Sequence, residues 1–207
     1  MKTGRVFRYT TLPPLLQFLS QCKLTLLPYR SWEDKNDVHF LEQFANRTRK
    51  RVYAMCLTHA DETFHHWKVF AKGDAGVRIT FDKEELVRWA HAIPGMRAGD
   101  VVYKTIEQVR EAPPTTDELP FLKRYPYRGE EEVRLIYATD VVLAAPPAFD
   151  LDLKLVRRVT LSPWLARPLR DAVADAVNKS TGGTRIEVSR STLVDNDEWK
   201  KLADVDV

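Results

Sequence analysis

This chain is short of cysteine, of clustered glycine, of long apolar runs and of charge of one sign, and each shortage removes a class of function. The only cysteines are Cys22 and Cys56, and they form no metal-ligand spacing. Both sit in apolar strand-like contexts, so they are expected as buried free thiols of a reducing compartment rather than as a disulfide. Among the glycines only Gly182-Gly183 are adjacent; they read as a helix stop, and no Gly-rich phosphate loop is present. No apolar run approaches the ~20 residues that span a bilayer. The N-terminus lacks the apolar segment and cleavage site of a secretory signal. A cytoplasmic protein without membrane contact is expected. Lys and Arg number 32 against 29 Asp and Glu, a net charge of +3. That balance argues against wrapping duplex nucleic acid, which needs a concentrated basic face. No two of the histidines stand four apart, so His59, His65 and His66 beside Asp61 and Glu62 give no helical ligand pair, and no metal is expected.

The 207 residues, 44% of them hydrophobic, suffice for one buried core. Strands are predicted at Arg5–Thr10, Lys23–Leu27, Arg51–Thr58, Gly76–Phe81, Asp100–Lys104, Asp140–Ala144 and Arg185–Val188, with clean alternation at Gly76–Phe81 and a nearly continuous apolar run, as in a buried central strand, at Arg51–Thr58. Helical spacing predicts Leu12–Gln21 with prolines in its first turn, a second helix through Phe40, Leu41 and Phe44, and an aromatic helix at Glu62–Ala71. Further helices are predicted at Lys83–Ala92, Asp117–Lys123 and Pro163–Asn178. Strands and helices interleave without the regular rhythm of a doubly wound sheet. The expected fold is a single α+β domain over 1–194, with a mixed, mostly antiparallel sheet core and several flanking short helices. Residues 195–207 form a charged tail, helical only briefly.

The segment Glu130-Glu131-Glu132-Val133-Arg134-Leu135-Ile136 carries the most chemical information. Alternate side chains of a strand share a face, so Glu130, Glu132 and Arg134 are expected to project together. Acids are depleted in strands. Two of them here mark either a strand end lifted into water after Gly129 or a carboxylate pair lining a cleft, with Arg134 keeping one ionised. Lys123 and Arg134 are both placed to ion-pair with the two acids.

Several short motifs line up with this block. Phe7-Arg8-Tyr9 precedes a leucine-rich helix, and Trp32-Glu33-Asp34-Lys35-Asn36-Asp37 follows the second strand. Cys56-Leu57-Thr58 ends the central strand, and Trp67-Lys68-Val69-Phe70-Ala71 leads into Gly76-Val77. Lys123, Tyr127, Glu130, Glu132 and Arg134 then come together. Over residues 6 to 193 this succession resembles an uncharacterised bacterial family, domain-of-unknown-function family 2971. Tyr127 stands where that family usually has tryptophan, Thr10 where arginine is frequent, and Val38 where proline follows Asn-Asp.

More remotely, the order Arg8, Thr58, Glu130-x-Glu132 resembles the ADP-ribosyltransferase-like superfamily. That resemblance implies NAD as co-substrate, its pyrophosphate gripped by Arg8 and its site framed by Thr58. It implies that Glu132 binds a ribose hydroxyl and supports the oxocarbenium-like state, that Glu130 orients the acceptor, and that Arg134 supports the pair. Trp67 or Phe70 would wall the nicotinamide. An unknown macromolecular acceptor, protein or nucleic acid, is implied, with a role as a toxin or phage-defence effector and an antitoxin or defence partner. Against this stands a non-enzymatic binding module. It would use the basic run Arg47, Arg49, Lys50, Arg51 near Tyr53 and Trp32, together with Lys123-Arg124-Tyr125-Pro126-Tyr127-Arg128, where aromatics among cations could stack bases.

Overall fold

A computed structural model describes residues 4–204. Strand β1 (Arg5–Thr11) runs into helix α1 (Leu12–Gln21), whose two prolines fall in the first turn, where backbone N–H groups have no helical acceptor. Leu15, Phe18 and Leu19 bury one side of it, and Cys22 ends it in the left-handed region. Two short strands follow, β2 (Lys23–Thr25) and β3 (Leu27–Pro28). Helix α2 (Lys35–Thr48) is capped by the Asp34 carboxylate, which accepts from the Asn36 N–H at 2.9 Å.

Strand β4 (Arg51–Thr58), helix α3 (Phe64–Phe70) and strand β5 (Gly76–Asp82) come next. A Cβ on Gly76 would collide with the Ala71 carbonyl, so the chain's return from α3 into β5 requires glycine there. The chain continues through α4 (Lys83–His91), β6 (Met96–Asp100), β7 (Val102–Lys104) and α5 (Ile106–Glu111). Strands β8 (Leu122–Arg124) and β9 (Glu132–Thr139) flank a 3-10 turn, Tyr125–Glu130. Strands β10 (Ala148–Asp150) and β11 (Val156–Leu161), helix α6 (Arg170–Lys179), strand β12 (Glu187–Arg190) and helix α7 (Asp197–Lys201) complete it.

Among the described residues the main sheet has the order β12-β11-β5-β1-β4-β9-β6, with β3 added beside β4. Only β11–β12 is parallel within it, so the fold is the expected α+β with a mixed, mostly antiparallel sheet. Strands β1 and β5 match over seven register pairs and β4 and β9 over eight, but β1 and β4 meet at a single pair, Phe7 opposite Thr58. The sheet buries both faces. Val6, Met55, Leu57, Ile79 and Leu135 pack on one side with α1 and α4; Val52, Ala54 and Ile136 pack on the other with Leu41 and Phe44 of α2.

Four expectations fail. The helix predicted at Asp117–Lys123 is a 3-10 stretch, Thr116–Phe121, with Pro120 inside it, and Leu122 and Lys123 already belong to β8. Asp140–Ala144 forms no strand: β9 ends at Thr139, and Val142 is 73% exposed in an irregular stretch. The long helix begins at Arg170 rather than Pro163, because Pro168 sits in a separate 3-10 turn, Arg167–Leu169. Cys22 and Cys56 are free but exposed rather than buried. No helix among the described residues is long and apolar enough to cross a membrane.

Candidate active site

The register of β4 and β9 builds the site. Thr58 lies opposite Glu132 and Cys56 opposite Arg134. Directly opposed residues share a face of the sheet, so these four side chains emerge together beside α2. The Thr58 hydroxyl donates to the Glu130 carbonyl and accepts from the Ala60 N–H at 2.9 Å. One hydroxyl thereby fastens the chain just before β9 to the end of β4.

Arg134 is fully buried and organises the charges. Its Nε and Nη2 donate to the two Glu132 oxygens at 2.7 and 2.9 Å, Nη2 also donates to Asp37 Oδ2 at 2.6 Å, and Nη1 donates to the Pro120 carbonyl at 3.0 Å. The Trp32 ring lies 5.3 Å from this guanidinium. Lys123 Nζ reaches three carboxylates: Glu130 at 2.6 Å, Glu132 at 3.2 Å and Asp37 at 3.4 Å. The Tyr127 ring packs 4.8 Å beneath the same ammonium. Three carboxylates thus face two cations, and the ionised cluster carries one net negative charge.

The two acids differ. Burial alone would raise Glu132, but Arg134 and then Lys123 overcome it and hold the carboxyl down at about 2. Glu130 ends the 3-10 turn instead of opening the strand, and it keeps some solvent contact; there burial prevails over Lys123 and raises its pKa. Glu131 between them takes a left-handed φ of 41°, uncommon for a residue with a side chain. That kink brings Glu130 and Glu132 to one lysine. Cys56 keeps solvent contact while its thiol is hemmed in by charged neighbours; burial and then Glu132 push it well above its usual range. The Tyr103 hydroxyl accepts the Glu132 N–H at 2.8 Å and anchors the start of β9.

Arg8 stands apart from this cluster. It alternates to the face of Val6, its Nη1 donates to Met55 Sδ at 2.9 Å, and burial lowers its pKa to about 10. Phe7 and Tyr9, its neighbours, share the face of Thr58. Trp67 is buried, donates to Glu62 Oε1 at 2.6 Å and meets Tyr9 edge-on, whereas Phe70 is 42% exposed against His65 and His66. Neither Asp37 nor Tyr103 is among the site residues expected from the sequence. Asp37 is instead buried in the cluster, 97 residues from its partner Arg134. His59 was likewise weighed only for metal; its Nε2 meets Asp100 Oδ1 at 2.9 Å and Lys83 Nζ at 3.0 Å.

With this geometry defined, the chain can be set beside known proteins. No family model matches it, and no curated protein does. Three solved structures of DarT from Thermus sp. 2.9 align over 92% of the chain. The complex with NAD+ is 9% identical with a TM-score of 0.46, covering 96% of that chain. The complex with ADP-ribosylated ssDNA is 9% identical with a TM-score of 0.48, covering 95% of that chain. The complex with carba-NAD+ is 10% identical with a TM-score of 0.47, covering 97% of that chain.

Proposed function

We propose that this protein cleaves NAD at the corner formed by Glu130 and Glu132, transferring ADP-ribose to a macromolecular acceptor or to water. The observation that carries the reading is the divergence of two neighbouring carboxyls held by one lysine. Glu132 is fixed as a buried anion and Glu130 is raised and partly open. Acids pushed apart in this way suit a charge stabiliser and a proton acceptor. As the ribose–nicotinamide bond breaks and the nicotinamide leaves with the electron pair, the cluster's net negative charge would steady the oxocarbenium-like centre. Glu130 would take the proton of the attacking hydroxyl or water. Thr58 positions the pair, Arg134 keeps Glu132 ionised, and Arg8 is assigned to the pyrophosphate. Arg8 and Thr58 alternate to opposite faces, so this assignment requires NAD to span the boundary between β1 and β4, whose described register is the single pair Phe7 and Thr58. Trp67 and Phe70 would border the nicotinamide from α3.

The test is nicotinamide release from NAD, with and without protein and nucleic-acid acceptors, in the wild type and in Glu130→Gln, Glu132→Gln and Arg8→Ala. Release that disappears in Glu130→Gln while the melting temperature holds supports the assignment; release unchanged in that variant ends it. A wild type silent toward NAD, with no thermal shift on its addition, would favour the binding module, read as nucleic-acid affinity that falls with salt. The effector role proposed with this activity, as a toxin or in phage defence with a neutralising partner, is checked by growth arrest on expression that Glu130→Gln relieves.

A further inference from the structure

We infer that the recess between α2, α5 and β8 is a nucleotide-binding site, adjoining the acidic corner through Asp37 and Lys123, which line it as well. It encloses about 320 Å³, at the lower end of ligand-sized pockets, which begin near roughly 300 Å³. Its lining fixes the chemistry of the ligand in three ways.

The walls are apolar. Phe40, Ile106, Val109 and Leu122 face the space, and Ile106 is 51% exposed there. Such walls suit a flat ring.

The rim is cationic. Lys104 and Arg124 are register partners across the parallel pair β7–β8, and both line the recess with Arg110. Like charges set opposite one another destabilise a strand pair, and among the described residues none of the three has a carboxylate within ion-pair distance. An anion between them removes the conflict.

The floor offers unpaired acceptors, beside Asn36 and Lys123, whose N–H groups already serve other carboxylate oxygens. Asp34 Oδ2 and Asp37 Oδ1 are buried without a hydrogen-bond partner, while their sister oxygens cap α2 and receive Arg134. Buried acceptors call for N–H or O–H groups.

A simple anion would leave the floor unpaired, a cation would meet three like charges, and a sugar phosphate would wet the apolar walls. A nucleotide with an amino-bearing base answers all three: the ring between the walls, the amine on the floor, the phosphate at the rim. The source is a free nucleotide or one residue of a single strand, and the two share this chemistry. The inference does not rest on NAD cleavage.

The test titrates the isotopically labelled full chain with AMP, GMP, CMP and UMP and with short single-stranded oligonucleotides, followed by NMR. The amino-bearing nucleotides are expected to bind saturably and UMP about tenfold more weakly, since uracil offers the two floor oxygens only its single N3–H where an amine offers two N–H groups. Arg110→Ala should weaken AMP by about five- to tenfold by removing a charge-assisted contact. Ile106→Trp should block binding at unchanged melting temperature, both residues being on the surface. Asp34→Asn keeps a competent helix cap but replaces an acceptor with a donor, and should also lose AMP. Oligonucleotides binding more tightly than mononucleotides identify a strand; the reverse identifies the free nucleotide. Absence of saturable binding by the wild type, or binding indifferent to Ile106→Trp and Arg110→Ala, overturns the inference. AMP binding is followed without NAD and nicotinamide release without AMP, so failure here and failure of NAD cleavage are separately visible.

Discussion

Thr58 and Glu132 face one another across β4 and β9, and the Thr58 hydroxyl also holds the Glu130 carbonyl. The chain leading into the acidic pair is therefore fastened by a buried side chain from a strand far away in sequence, alongside Tyr103, which receives the Glu132 N–H. Thr58→Val keeps the shape but leaves the Glu130 carbonyl and the Ala60 N–H unsatisfied, and should cost about 1–3 kcal/mol in urea unfolding. Thr58→Ser should recover most of it. Equal stability of the valine variant would show the hydroxyl to be dispensable.

Arg134 bridges Glu132 and Asp37, and all three side chains are buried. Removing one partner of a buried ion pair strands the other charges, so Arg134→Met should destabilise by about 3–5 kcal/mol. Arg134→Lys should rescue only in part, because an ammonium cannot reproduce the bidentate geometry. Chemical denaturation of both variants decides this.

Stability should depend on acid through Glu132. Its folded-state pKa of about 2 lies below the ordinary 4.5, so its contribution is complete above the ordinary value and is lost as pH falls toward 2. The depression corresponds to about 3 kcal/mol. Glu130, raised by burial, acts in the opposite sense and offsets part of the loss. Unfolding free energy measured from neutral pH into this window should fall less steeply in Glu132→Gln than in the wild type.

Under the proposed reaction, the rate of nicotinamide release should rise with pH through an apparent pKa above the ordinary 4.5 of a glutamate, because the base must be ionised and Glu130 is raised. A pH–rate profile at saturating NAD shows that limb in the wild type. A flat profile would assign proton transfer to another group.

The parts of this fold that could be read along the chain were those with a clear period or apolar run. The sequence of β5 alternates, β4 carries the nearly continuous apolar run of a central strand, and α1 carries its leucines and prolines where a buried helix tolerates them. Val141, Val142 and Leu143 look like a strand, but no sheet edge receives them after Thr139, so propensity alone did not decide. The pairing of Lys123 and Arg134 with the acids was legible from local spacing. The arrival of Asp37 was not, since its short motif also makes an ordinary helix cap and its cationic partner lies in a distant strand. Arg8 could be placed on β1, but which side of the pleat it took depended on register with β5.

Among the described residues the backbones of β1 and β4 are in register only at Phe7 and Thr58, yet Val6, Met55 and Leu57 share one core and Arg8 reaches Met55 across the same seam. The two halves of the eight-stranded layer are therefore held together there by side-chain packing more than by a ladder. The threonine that fixes the acids is also where that seam begins.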